Sequence, residues 1–384
     1  MGVTAPGVRS SMGRHEQRNG SGTGSTHERS APGTRAAMAP QGEAQPGEVM
    51  LYDMHDSPFI ELQTPMTAWE IFKMVVLLPL LPLRLFFVFC AVIGVAVCNS
   101  ILIAGCDLEQ PLPRWRRRLV EISSQGFNGV ILRCIGFWWP RVKGLQYWEA
   151  GKRIGAIGIF NHVSYIDAFV ITWALCPAGL TFAFTAEIPI LGRAIRALQN
   201  VYLPKTDKAK AGVSMVDALR KRCGTPGMPP LVIAPEGTLC HGRCLLSFKT
   251  GGFVAGLPIV PVLFKYKLTG HNPGWGVIRP YWHFLRVMCQ FYNHVEVECL
   301  PIYHPSAEER AHPQVYAANV RKLMAKALGV PMVDQDRSVA MAIEAAGILP
   351  SYDGRRVVAP PGVLDAQGRV DLGPWLRGDA KKTR

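Results

Sequence analysis

The segment that decides the fold is IGAIGIFNHVSYIDAFVITWAL, residues 154–175. Its first part, residues 154–160, is a short apolar run that predicts a strand. Residues 166–175 are also apolar and predict a helix. Between them lies the polar junction NHVSYID, residues 161–167. The segment therefore predicts a strand that passes directly into a helix through a turn of polar side chains.

The same alternation extends over residues 145 to about 330, where other short apolar runs are separated by helix-like stretches. The predicted strands are 154–160, 230–234, 258–268 and 294–300, and the predicted helices include 166–175, 208–222 and 314–328. Strands that alternate with helices indicate an α/β domain. We therefore expect a mostly buried sheet that is flanked by helices.

A long apolar stretch, residues 74–104, precedes this domain. About twenty apolar residues are enough for a helix to span a bilayer, and this stretch is longer, which disfavours a soluble core helix. Pro79, Pro82 and Arg84 interrupt it, so two alternatives remain: one tilted span, or a hairpin that enters and leaves the same leaflet. Residues 125–139 predict either a helix lying in the membrane interface or an amphipathic helix packed on the core.

The positive charge is concentrated beside the apolar stretch. The net charge is +14, and residues 111–155 contain nine basic and two acidic side chains, a net +7 that is half of the total. Basic residues that flank an apolar segment indicate an anionic membrane surface and a cytosolic location for that side. We find no nucleic-acid-binding module, so the charge does not predict a nucleic-acid partner.

Composition divides the chain into four parts. Residues 1–48 are rich in Gly, Ser, Pro and Arg and predict a disordered tail, for which a cleaved transit peptide is the alternative. The expected domains are 1–48 as this tail, 65–144 as a membrane-anchoring segment, 145–335 as the α/β domain and 336–384 as a C-terminal tail. The ten cysteines show no ligand spacing typical of zinc sites, so we expect free thiols and no bound metal.

The polar junction carries the clearest chemical signal, His162 followed five residues later by Asp167. Histidine is suited to general-base catalysis near neutral pH, and a carboxylate on its other ring nitrogen fixes the tautomer. In a continuous helix, residues five positions apart lie about 140° apart around the axis. The two side chains therefore meet only if His162 lies in the turn and Asp167 in the first turn of the helix.

Three further blocks follow in order, each next to an apolar segment: Gly192 to Arg196, Glu236-Gly237-Thr238, and Val260-Pro261. Together with the junction they resemble the four motifs of the glycerolipid acyltransferases, the His-x4-Asp enzymes. The resemblance covers about residues 65–335. It is closest to the branch that acylates lysophosphatidylcholine and lysophosphatidylethanolamine, through stretches such as NHVSYIDAF and PEGTLCHGRCLLSFKTGGF.

The resemblance implies a role for each matched residue. His162 would deprotonate the acceptor hydroxyl, which attacks the thioester of acyl-CoA, and Asp167 would orient His162. The implied substrate-binding residues are Gly192, Arg196, Glu236, Gly237, Thr238 and Pro261. Among them, Arg196 would hold the phosphate of the acceptor. The resemblance also implies no cofactor beyond acyl-CoA as co-substrate, and no metal. It favours the hairpin for residues 74–104, because the family commonly anchors through an N-terminal hydrophobic hairpin.

The resulting hypothesis is an acyl-CoA-dependent lysophospholipid O-acyltransferase whose partners are acyl-CoA, a lysophospholipid and the lipid bilayer. Two alternatives remain: an acyltransferase that uses glycerol-3-phosphate or lysophosphatidic acid, and an inactive lipid-binding membrane protein. The sequence Lys381-Lys382-Thr383-Arg384 resembles a dilysine retrieval signal, although a solvated basic tail has the same composition. We therefore expect the endoplasmic reticulum membrane, with the active site cytosolic, and rank a plastid membrane second.

Overall fold

The computed structural model describes residues 51–52, 54, 56–203, 215–267, 270–365 and 368–378. The expected N-terminal tail, the start of the predicted helix 208–222 and the basic residues 381–384 lie outside these ranges. The helices are α1 Ala68–Leu77, α2 Leu81–Leu102, α3 Arg114–Cys134, α4 Leu145–Arg153, α5 Asp167–Ala174, α6 Leu191–Ala197, α7 Met215–Gly224, α8 Pro280–Met288, α9 Ala307–Ala311, α10 Pro313–Leu328, α11 Arg337–Ala345 and α12 Gly373–Leu376. The strands are β1 Leu51–Tyr52, β2 Arg141–Lys143, β3 Ile157–Phe160, β4 Ala178–Phe182, β5 Val201–Leu203, β6 Leu231–Ile233, β7 Ile259–Tyr266, β8 Val295–Cys299, β9 Leu349–Pro350, β10 Val357–Val358 and β11 Val370–Asp371.

Seven of these strands form the central sheet, in the order β2-β8-β7-β3-β6-β4-β5. Neighbouring strands are parallel except for β7 and β8, which are antiparallel. The α/β class and all four predicted strands are confirmed. The sheet begins at β2, before the domain boundary expected at residue 145, and β4 and β5 extend it beyond the strands that the sequence predicts.

Helices cover both faces of this sheet. Side chains of β7 alternate between two hydrophobic clusters, as the period of a strand requires: Val260 and Val262 belong to one, Ile259 and Leu263 to the other. The first cluster also contains buried side chains of α3, α4, α5 and α8, and the second contains those of α7 and α10. The sheet is therefore buried, and its strand ends are the places where polar side chains can reach a cavity.

The apolar stretch before the domain does not fold back on itself. Residues 68–102 follow a single helical path with a short 3₁₀ turn at Leu78–Leu80. Within the described part of the chain, this is the one helix long and apolar enough to cross a membrane. The hairpin favoured within residues 74–104 is therefore wrong, because Pro79 and Pro82 lie at the start of helical segments, where proline is tolerated.

The chain reverses after α2 and returns as α3. Asn99 of α2 donates to Ser124 of α3 at 3.0 Å, and Gly94 lies against the ring of Phe127. Asn99 follows Gly94 along α2, whereas its partner Ser124 precedes Phe127 along α3, so the two helices are antiparallel. Residues 125–134 belong to α3, whose Leu132 is buried in the first cluster, so this part agrees with the amphipathic alternative.

The C-terminal segment differs from the expected loosely ordered tail. In its described part, α11 and α12 pack into a third hydrophobic cluster, and β11 pairs with β1. Val339 and Ile343 of α11 are buried there together with Phe59 and Leu246. This segment therefore packs against a loop of the central domain.

Candidate active site

The junction between β3 and α5 is fixed to the sheet by Asn161. Its side-chain amide donates to the carbonyl of Phe264 at 3.1 Å, and its side-chain oxygen accepts from the backbone N–H of Phe264 at 2.8 Å. The end of β3 is thereby held against β7. The next residue, His162, leaves the sheet at a defined position.

His162 and Asp167 meet as their spacing predicts. The distance from His162 Nδ1 to Asp167 Oδ2 is 2.8 Å, and Asp167 is the first residue of α5. The Asp167 side chain is 0% exposed, whereas that of His162 is 28% exposed. A carboxylate at this distance stabilises the tautomer with its proton on Nδ1, which leaves the lone pair on Nε2. The pair therefore has the arrangement of a general base and its orienting acid.

The buried Asp167 carboxylate accepts from donors on both of its oxygens. The backbone N–H groups of Val163 and Ser164 donate to Oδ2 at 2.8 and 3.0 Å, and the Tyr266 hydroxyl donates to Oδ1 at 2.5 Å. Burial, followed by the charge of Asp167, raises the pKa of Tyr266 well above its usual value, so the phenol stays a donor. Tyr266 was not predicted as a site residue, because its signal in the sequence was no more than a tyrosine near the end of the predicted strand 258–268.

Glu236 holds the same turn through a hydrogen bond to its backbone. It is buried, and its two oxygens accept from the backbone N–H groups of His162 at 2.8 Å and Leu246 at 2.9 Å. Burial raises the pKa of Glu236 to about 7, against the opposing effect of those two hydrogen bonds. Glu236 is not among the residues that line the cavity described below. The structure thus places it as a positioning residue rather than at the substrate surface.

A cavity of about 870 Å³ opens above the junction. His162, Gly237 and Thr238 line it, and apolar side chains of α2, α3, α5 and α6 form much of its wall. Gly237 adopts a left-handed backbone conformation with φ +64°, which favours glycine. The cavity therefore combines a polar region around His162 with an apolar wall, part of which comes from the helix over residues 68–102.

The other predicted binding residues lie outside this lining. Arg196 is exposed on α6, and Pro261 is buried within β7, where its carbonyl accepts from Leu300 at 2.8 Å. Gly192 is buried where a Cβ atom would lie 2.4 Å from the carbonyl oxygen of Ala186, so it allows a close approach of two backbones. The cavity is lined instead by two other cationic side chains, those of Lys249 and Arg337.

Within the described ranges, no group of three or more His, Cys, Asp or Glu side chains is placed to hold a metal ion. His162, held by Asp167, has the geometry to accept a proton from a hydroxyl group that enters the cavity.

Comparison with known proteins gives consistent matches. Residues 140–265 match the family model described as Acyltransferase. The chain is 34% identical over 237 residues to Lysophospholipid acyltransferase LPEAT1 of Arabidopsis thaliana, covering 55% of this chain and 59% of that protein. It is 32% identical over 284 residues to Lysophosphatidylcholine acyltransferase of Drosophila melanogaster, covering 72% of this chain and 52% of that protein. The chain thus spans little more than half the length of these two relatives.

A solved structure also aligns with the chain. It is the 1-acyl-sn-glycerophosphate (LPA) acyltransferase PlsC from Thermotoga maritima, with a TM-score of 0.44 and 17% sequence identity over 66% of this chain and 97% of that chain.

Proposed function

We propose that this chain, which belongs to the acyltransferase family and to its lysophosphatidylcholine and lysophosphatidylethanolamine branch, transfers a fatty acyl group from acyl-CoA to the free hydroxyl of a lysophospholipid. The observation that carries the proposal is the His162–Asp167 pair, with His162 at the wall of a largely apolar cavity and Asp167 buried behind it. A lipid acceptor needs such a combination, because its reacting hydroxyl is polar and its acyl chain is not.

The proposed reaction is a direct transfer. His162 Nε2 accepts the proton of the acceptor hydroxyl as the oxygen attacks the thioester carbonyl carbon. The resulting imidazolium is stabilised by Asp167, whose carboxylate lies 2.8 Å from Nδ1. The tetrahedral intermediate then breaks its carbon–sulfur bond, and His162 returns the proton to the leaving thiolate. An ester and free CoA result, and no covalent acyl-enzyme is required.

The remaining groups assist this step by position. Glu236 holds the backbone of His162, and Tyr266 and the two backbone N–H groups hold Asp167. Gly237 and Thr238, which line the cavity, contact the polar end of the acceptor. Arg196 is not part of the proposed site because it lies outside the cavity lining.

The membrane location is part of the proposal. The helix over residues 68–102 exposes large apolar side chains such as Phe86 and Phe89, and α2 also contributes Val95 to the cavity wall. An acceptor can therefore enter the cavity from the bilayer. We place the protein in the endoplasmic reticulum membrane with the catalytic cavity on the cytosolic side, because the basic residues of α3 and the adjoining segment follow the apolar helix. A plastid membrane is the alternative.

An acyl-acceptor panel tests the proposal. Membranes that contain the protein, and matched membranes without it, receive labelled oleoyl-CoA with lysophosphatidylcholine, lysophosphatidylethanolamine, lysophosphatidic acid or glycerol-3-phosphate. We expect protein-dependent transfer to the choline or ethanolamine lysolipids. Transfer only to the two phosphate monoesters would support the alternative acceptor class, and transfer to none of the four would contradict the proposed activity.

A further inference from the structure

Helix α11 lies outside residues 140–265, the range that matches the family model. It is nevertheless attached to the loop that contains Glu236 and Leu246, and Glu236 accepts from the backbone N–H of His162. The segment before it runs beside that loop: Leu245 N donates to Pro331 O at 2.9 Å and Val333 N to Leu245 O at 3.0 Å. The neighbouring Leu246 donates its N–H to Glu236, and its side chain is buried against α11. The position of α11 is therefore coupled to the turn that carries the base.

One face of α11 forms part of the cavity wall. The lining side chains are Arg337, Ala340, Met341 and Glu344, at the i, i+3, i+4 and i+7 positions of a single helix face. The opposite face, with Val339 and Ile343, is buried in the third hydrophobic cluster. The helix therefore places one cation and one carboxylate, both on exposed residues, in the wall of the cavity that His162 also lines.

A second cation reaches this space from the central domain. The Lys249 ammonium lies 3.1 Å from where a Cβ atom on Gly237 would be, and Gly237 directly follows the Glu236 that bonds to His162. Lys249, Arg337 and Glu344 line the cavity, and none of the three has an ion-pair partner among the residues that the structure describes. Three charged side chains are thus available to a ligand.

We infer that Arg337 and Lys249 bind the phosphate, and Glu344 the cationic amine, of a zwitterionic phosphodiester head group on the acceptor. The inference rests on the proposed function and assigns the residues that select its acceptor. Arg337 and Glu344 lie two turns apart, about 10 Å along the axis, and their long side chains can converge on one head group. Trp275 lines the same cavity, and its ring offers a further favourable surface to an ammonium group.

The carboxylate distinguishes this ligand from other phosphates. Arg and Lys side chains would bind a phosphate monoester or the phosphates of CoA equally well. Neither a lysophosphatidic acid nor CoA brings a fixed cation to pair with Glu344, so each would place negative charge beside that carboxylate. The combination of two cations and one anion therefore favours phosphoethanolamine or phosphocholine head groups.

Steady-state kinetics of the membrane-bound protein test this assignment. Lysophosphatidylethanolamine, lysophosphatidylcholine and lysophosphatidic acid are varied at saturating oleoyl-CoA, and oleoyl-CoA is then varied at saturating acceptor. The variants are Arg337→Ala, Lys249→Ala, Glu344→Gln and Glu344→Lys. Lys326→Ala and Glu308→Gln, which change exposed charges outside the cavity lining, are the matched controls.

Arg337→Ala and Lys249→Ala are expected to raise KM for the zwitterionic acceptors about fivefold to tenfold, the effect of losing a hydrogen bond to a charged group at a partly solvated site. KM for oleoyl-CoA should stay unchanged. Glu344→Gln should lower the preference for zwitterionic acceptors over lysophosphatidic acid about fivefold. Glu344→Lys should lower it further and raise kcat/KM for lysophosphatidic acid, a gain that general structural damage cannot produce.

Three outcomes would overturn the inference while the proposed function stands. One is an active wild type whose acceptor KM and preference are unchanged in all four variants. Another is a rise in KM for oleoyl-CoA instead of the acceptor, which would assign the cations to the phosphates of CoA. The third is a Glu344→Lys protein that keeps the wild-type preference. A wild type that acylates none of the acceptors would instead refute the proposed function, and this inference with it.

Discussion

Replacing Asp167 by Asn separates the charge of this residue from its hydrogen-bonding geometry. The Oδ2 atom accepts from His162, Val163 and Ser164, whereas among the residues that the structure describes Oδ1 accepts from the Tyr266 hydroxyl alone. An Asn side chain can keep its oxygen toward the first three donors and turn its amide toward Tyr266, whose hydroxyl oxygen can accept. We therefore expect Asp167→Asn to fold, with the orientation of His162 retained.

The loss of activity in Asp167→Asn should appear in kcat, because the carboxylate charge acts in the chemical step. Unit charges about 4 Å apart interact by about 4 kcal/mol at an effective dielectric constant of about 20. If the imidazolium is fully formed in the transition state, removing the carboxylate charge slows kcat by up to about 10³-fold. Asp167→Ala is the contrasting variant, because it leaves two backbone N–H groups and a buried hydroxyl without an acceptor and should also destabilise the fold.

The assay is the initial rate of oleoyl transfer to the preferred lysophospholipid, measured beside thermal unfolding of each purified variant in the same detergent. We expect Asp167→Asn to unfold within a few degrees of the wild type and to lose two to three orders of magnitude in kcat. An Asp167→Asn protein that is folded and within about threefold of wild-type kcat would refute the role assigned to the carboxylate charge.

Three other substitutions test the support of the site. Tyr266→Phe removes one donor to Asp167 and should destabilise the fold by about 1.5–3 kcal/mol in thermal or denaturant unfolding; unchanged stability would contradict this contact. Gly237→Ala places a side chain at φ +64° and should lower the free energy of unfolding by about 1–2 kcal/mol. The cause is mainly backbone strain, because the nearby Lys249 side chain can move, and an unchanged free energy of unfolding would contradict this conformation of the turn. Burial raises the pKa of Glu236 to about 7, so its stabilising effect is present below its unfolded-state pKa and is lost as pH rises through about 7. The Tm of the wild type minus that of Glu236→Gln should therefore fall between pH 5 and pH 8, and a constant difference would contradict the raised pKa.

Local signals predicted the centre of the fold well. The strands β3 and β7 are continuous apolar runs because both faces of the sheet are covered, and such runs are visible in the sequence. The His162–Asp167 contact was predicted from the five-residue spacing together with the predicted strand-to-helix junction, because that junction brings the two side chains together. Strands β4 and β5 have few buried apolar residues and follow turns, so their sequence lacked that signal.

Features that depend on tertiary packing could not be predicted from local sequence patterns. The buried hydroxyl of Tyr266 reaches Asp167 because β7 lies beside β3, which no local pattern specifies. Helix α11 brings Arg337 to the cavity from a segment that was predicted to be a C-terminal tail. Arg196 is the last residue of the block Gly192 to Arg196, but it lies on an exposed face of a short helix. Its position in a motif therefore did not establish that it lines the cavity.

The central claim is that His162 acts as the base in acyl transfer, and His162→Ala tests it most directly. The rate of oleoyl transfer from oleoyl-CoA to lysophosphatidylcholine or lysophosphatidylethanolamine would be compared between wild type and variant at equal amounts of membrane-bound protein. We predict a loss of at least about 10²-fold in rate, the contribution typical of a general base, with the variant still in the membrane fraction. A variant with near-normal transfer would contradict the account.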